Sequence, residues 1–197
     1  MNRSRTCGRT DTSMINRSDA VILVVIRLKL RMDYVAESKR MFDDGEYQWK
    51  NALAFDLHQR SPRLTAEWAI LCAERLLKRH FPDRLMDLRS DLDCAKLRLE
   101  QLPDSEDPEQ MEREIWYRPN RDAPQTAISK LFTAIRELHQ RNNCVWASSA
   151  VVANLTADEW SEMKLNCTSI EMYNIVLNSY FDTLNKSESD NEPPIVG

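Results

Sequence analysis

Three histidines and five cysteines are the side chains that could ligate a metal or pair a nucleophile with a base: His58, His80 and His139, and Cys7, Cys72, Cys94, Cys144 and Cys167. A metal site built on one helix needs ligands three or four residues apart, so that they share a face. No H-x-x-x-H, H-E-x-x-H or E-x-x-H run occurs, and no two cysteines stand at C-x-x-C spacing. Cys72 and His80 are eight residues apart on one helical stretch, about 12 Å along its axis, and do not meet there. A Cys–His couple could arise only if the fold brings Cys94 or Cys144 to His139, or another pair together. His80 and His139 sit where helices are expected to end, beside basic residues, and a cation suits that end of the helix dipole. No serine stands in a nucleophile elbow. No residue is thus marked as catalytic, cofactor-binding or metal-binding, and no cofactor is expected.

The elements that would have to position any site are helices. Only Gly8, Gly45 and Gly197 occur, which leaves too few positive-φ residues for a sheet joined by tight turns. Glycine-rich phosphate loops are excluded, since no two glycines are close together. Apolar residues make up 42% and charged residues 29% of the 197, a balance that can bury a real core. The odd number of cysteines and the lack of a signal-peptide cleavage pattern read as reduced thiols in a cytoplasmic protein. The triplets beginning at Asn154, Asn166 and Asn185 would matter as glycan acceptors only in a secreted chain.

Residues 1–31 differ from the rest. They hold seven bases and two acids around the short apolar run AVILVVI. That run is far shorter than the roughly 20 residues needed to span a bilayer. A poorly ordered extension is expected, with a docked element or a nucleic-acid-binding arm as alternatives. The remaining chain carries a net charge of −9 by difference from the total of −4, a poor general ligand for nucleic acid.

From Asp43 onward the apolar spacing is helical. Residues 47–60 place Trp49, Leu53 and Leu57 on one face. Ser61 and Pro62 punctuate the chain as N-cap and first helical residue. The stretch that follows sets Trp68, Ala69, Ile70, Cys72, Ala73, Leu76 and Leu77 on an arc of roughly 200°, so it is expected to be the central, most buried helix. Cys72 is then a small hydrophobe rather than a nucleophile. Residues 83–101 carry a heptad seam of Leu85, Leu88, Leu92, Ala95, Leu99 and Leu102, expected to pack back on the preceding helix. Residues 127–141 follow, led in by Asp122 and Pro124, with Ile128, Leu131, Ile135 and Leu138 inward. Residues 144–153 read as a buried helix. Capping boxes are expected at Thr156–Glu159 and Thr168–Glu171, the second opening a helix to Leu184 with Ile170, Tyr173, Leu177, Tyr180 and Leu184 inward. The prediction is one all-α domain, residues 42–185, a bundle or irregular array of about six to eight helices, with a disordered tail at 186–197.

Between the seam and residue 127 lies an acidic segment. Asp107, Pro108 and Gln110 predict a short capped helix whose outer face carries Glu109, Glu112 and Glu114. If the protein masks a partner, those three mark the contact and the partner is basic. The run Trp68-Ala-Ile-Leu-Cys72-Ala-Glu74, followed by an amphipathic helix, resembles all-helical bacterial immunity proteins of toxin systems, which implies an acidic helical protein that binds and masks another. The expected function is therefore non-catalytic protein–protein interaction, immunity- or adaptor-like, with no membrane partner. A Cys–His enzyme and nucleic-acid contact through residues 1–31 are the alternatives.

Overall fold

A computed structural model describes residues 34–101, 122–156 and 168–189, and among these the chain forms seven helices and no strand. The all-α expectation holds. The helices are α1 (34–43), α2 (Trp49–Arg60), α3 (Pro62–His80), α4 (Pro82–Glu100), α5 (Ala123–Arg141), α6 (Val145–Thr156) and α7 (Ile170–Ser189). The expected short helices near Asp107 and after Thr156 lie outside the described residues, as do residues 1–31 and the end of the tail.

α3 is the hub. It packs against α2, α4, α5, α6 and α7, and the broad apolar arc read from the sequence is buried: Trp68, Ala69, Cys72, Ala73, Leu76 and Leu77 have no solvent exposure. Pro62 sets the first turn. Ser61 stands at the N-cap in extended conformation, but its side chain makes no capping bond. α4 turns back on α3 after the single residue Phe81, as its seam predicts. Leu88, Leu92, Ala95 and Leu99 are buried, and Leu85 packs partly buried against the core. The other side of α4 meets α5. Asp122 caps α5 by accepting from the Gln125 amide at 2.9 Å, and Asn142, with φ of 52°, closes the helix in the left-handed region.

Three boundaries differ from expectation, each for a local reason. α1 begins at residue 34, upstream of the expected domain start at 42. It is laced by exposed ion pairs, Lys39–Asp43, Arg40–Glu37 and Arg40–Asp44, and ends where Gly45 takes φ of 75° and the Glu46 amide reaches back to the Met41 carbonyl at 2.8 Å. α7 runs on to Ser189, so the first residues of the tail are helical. Thr156 is the last residue of α6, and the capping box expected from it to Glu159 lies outside the described residues. The Thr156 hydroxyl donates to the Val152 carbonyl at 2.9 Å within α6, the backward bond that threonine makes inside helices. Ser169, not Thr168, caps α7, accepting from the Met172 amide at 3.2 Å. The Thr168 hydroxyl is drawn instead to the Thr156 carbonyl at 3.2 Å, and with this one-residue shift Ile170 turns outward and is 55% exposed.

Two tertiary knots join α7 to the N-terminal helices. Phe42, Trp49 and Tyr173 form an aromatic cluster, with Phe42 and Tyr173 at 4.4 Å and Trp49 and Tyr173 at 5.1 Å between ring centroids. One helical face further along, Asp56 is buried and accepts hydrogen bonds from the Tyr180 hydroxyl and from Arg60 through Nε at 3.0 Å and Nη2 at 3.2 Å. The carboxylate therefore has a phenol and a two-pronged guanidinium as partners, which is what a buried charge needs.

Candidate functional site

Cys72 and Cys144 are buried, Cys94 is half-buried on α4, and Cys7 and Cys167 lie outside the described residues. Cys72 is fully buried on α3, and burial pushes its thiol pKa far upward, with Ser179 and Arg75 opposing weakly. Cys144 donates to the Pro62 carbonyl at 3.3 Å, pinning the start of α6 to the start of α3. Burial raises its thiol to about 11, out of the range of a nucleophile at neutral pH. In the native protein a thiol reagent should label Cys72 more than about a hundredfold slower than the same thiol in the urea-unfolded chain. Equal rates would show that α3 is not buried.

The histidines do not assemble a site. His58 Nδ1, His80 Nε2 and His139 Nε2 are enclosed and have no hydrogen-bond partner among the described residues. Among the described residues no group of three His, Cys, Asp or Glu side chains could hold a metal ion. Two hollows open on the described surface. One, about 260 Å³, runs between α3, α4 and α7 over a floor of Ile70, Leu71 and Leu99. Its rim charges pair with one another, Lys96 with Glu74 at 3.0 Å and Arg63 with Glu67 at 2.8 Å. The other is lined by Arg136, Glu137, Gln140 and Arg141. Neither hollow contains a cysteine or a histidine.

Glu109, Glu112 and Glu114 lie outside the described residues. The described residues hold 17 acids against 16 lysines and arginines. The acidic excess of the chain therefore falls elsewhere, and this part of the surface is balanced rather than negative.

What the described surface does offer is aromatic. Trp146, on the first turn of α6, is 63% exposed, and Phe55, on α2, is 39% exposed. Their rings meet edge to face, 5.9 Å apart at 86°, the arrangement that the ring quadrupoles favour. α2 and α6 pack on each other, which brings the two rings together across the helix boundary. α6 contains no ionisable residue at all. Asn51, one turn before Phe55, and Ala150, one turn after Trp146, extend the face without adding charge. In a chain with 29% charged residues, this uncharged strip with a bare tryptophan is the most distinctive feature of the exterior. Sequence periodicity missed it, because Phe55 and Trp146 both fall inside stretches read as core.

Among the described residues no helix is long and apolar enough to cross a membrane. No family model, curated protein or solved structure matches the chain. The likeness to immunity proteins therefore rests on the Trp68–Glu74 run and the helices that follow it.

Proposed function

We propose that this chain is a non-catalytic protein-binding domain whose contact surface is the Phe55–Trp146 face of α2 and α6. The observation that carries this reading is the exposed edge-to-face pair on an uncharged strip. Large aromatics held rigid at the surface are the residues that anchor interfaces. A bare tryptophan loses hydrophobic contact in the free protein and regains it when covered. The partner is another protein presenting an apolar, uncharged patch. A charge buried against α6 would find no counter-ion there, and desolvating it without one is costly.

The test compares three forms of the full chain as bait in the native host: wild type, Phe55→Ala/Trp146→Ala, and Met86→Ala. Met86 is 81% exposed, but it lies on α4, which packs against α3 and α5. A captured protein should bind the double variant at least about tenfold more weakly, since an aromatic anchor is commonly worth 1–2 kcal/mol or more. It should bind Met86→Ala as it binds wild type. Equal binding by the double variant would remove this face, and turnover of a small molecule with no protein bound would remove the class.

A further inference from the structure

Met86, Leu97, Ile170 and Phe181 stand in solvent as Phe55 and Trp146 do, but each of the four has an ion-paired neighbour in the chain. Asp87, after Met86, is held by Arg84. Lys96, before Leu97, is held by Glu74. Glu171, after Ile170, is held by Arg79, and Asp182, after Phe181, by Arg75. A surface pressed onto any of these would strip water from a charged pair, which is costly. Trp146 and Phe55 are free of that cost. α6 holds no ionisable residue, and Asp56, after Phe55, is buried on the Tyr180 hydroxyl.

The strip also has a shape. At 100° per residue, Trp146, Ala150 and Ala153 fall within about 60° of one another on α6. Ala150 and Ala153 are half-buried, so the outer line of the helix is large at its first turn and small for the next two. Trp146 and Ala153 are about 10 Å apart along the axis. A second α6 turned end for end therefore sets each Trp146 over the Ala153 of the other copy, with the two Ala150 residues beside the two-fold axis. Such an axis brings one patch against itself. Any charge near it would meet a like charge, and this strip carries none.

We propose that a second copy of this chain occupies the Phe55–Trp146 face, as a two-fold dimer with α6 antiparallel on α6. The dimer rests on that face being the contact surface, and it supplies the partner. Size sets its strength. α6 has 12 residues and is about 18 Å long, and packed helices lie about 8–10 Å apart. The two-helix face then covers about 300–400 Å² per copy, and the dimer buries less than about 800 Å² in all. Stable specific interfaces bury about 1,200 Å² or more. The dimer is accordingly weak and reversible, with a dissociation constant on the order of 100 μM.

The test is sedimentation equilibrium of the full-length chain from about 10 μM to about 1 mM, a range that brackets this constant. The wild-type average mass should climb with concentration from that of one chain toward that of two. Phe55→Ala/Trp146→Ala should raise the dissociation constant at least about tenfold. Ala150→Lys and Ala150→Glu should each stay monomeric over the range, because each sets like charges beside the axis. Mixed in equal amounts, the two should dimerise again. That recovery, with the wild-type helical circular-dichroism signal in each variant, separates lost pairing from lost folding. A wild type that is monomeric at the highest concentration, a dimer that neither Ala150 variant weakens, or no recovery on mixing would overturn the two-fold dimer. The face itself fails separately: a monomeric wild type whose captured partner still binds Phe55→Ala/Trp146→Ala more weakly would remove the second copy and leave the contact surface standing.

Discussion

Replacing Trp68 by alanine is expected to lower the free energy of unfolding by about 3–5 kcal/mol, the usual loss for emptying a fully buried aromatic site. Trp68 has no solvent exposure and sits on the helix that touches five others. Its indole N–H donates to the Val176 carbonyl on α7 at 3.4 Å, so alanine removes volume and also leaves a buried acceptor without that donor. Trp68→Phe retains much of the volume and should cost less, about 1–2 kcal/mol. Because small domains are stable by only about 5–15 kcal/mol, the alanine variant should unfold at a visibly lower urea midpoint. A loss under about 1 kcal/mol would mean that α3 is not the centre of the core.

The second large effect is at Asp56. Asp56→Ala takes from the Tyr180 hydroxyl its buried carboxylate acceptor and removes the carboxylate that holds Arg60. The expected cost is about 3 kcal/mol, with the Arg60 share reduced because that side chain is 31% exposed. Tyr180→Phe should cost about 1–2 kcal/mol, since the carboxylate keeps its guanidinium partner. The double variant should cost less than the two single losses added together, because each single variant already breaks the same contact. Strict additivity in urea unfolding would show that Asp56 and Tyr180 are not coupled.

The parts of the fold that were legible in the sequence are those where one periodic face decides burial. Trp68, Cys72 and Leu76 on α3, and Leu88, Leu92, Ala95 and Leu99 on α4, repeat at helical spacing, and each of these residues is buried. α1 was not legible because its apolar residues, Val35, Met41 and Phe42, form no continuous stripe. What holds its outer face is a set of i,i+3 and i,i+4 ion pairs, a pattern compatible with many solvated segments. The cap of α7 was misplaced by one residue because Thr168 and Ser169 both offer a hydroxyl, and the choice depends on a carbonyl twelve residues away.

The buried polar knot and the surface aromatics were less legible still. Asp56 interrupts the otherwise uncharged run Asn51–Leu57, which marks it as unusual, but its partner Tyr180 is 124 residues distant and nothing in the spacing links them. Phe55 and Trp146 were hidden for the opposite reason. Periodicity tells which residues are apolar on a face, and cannot tell that the packing of α2 on α6 ends before it covers these two rings.

The central claim, that the chain works by binding another protein through α2 and α6, is tested most directly by hydrogen exchange on the captured complex. Amide exchange is followed peptide by peptide in the free chain and in the chain bound to its partner. The account predicts that slowing on binding concentrates in the peptides spanning residues 49–60 and 145–156, with α4 unchanged. Slowing confined to residues 107–114, or spread along α3, α4 and α7 over the 260 Å³ groove, would contradict it.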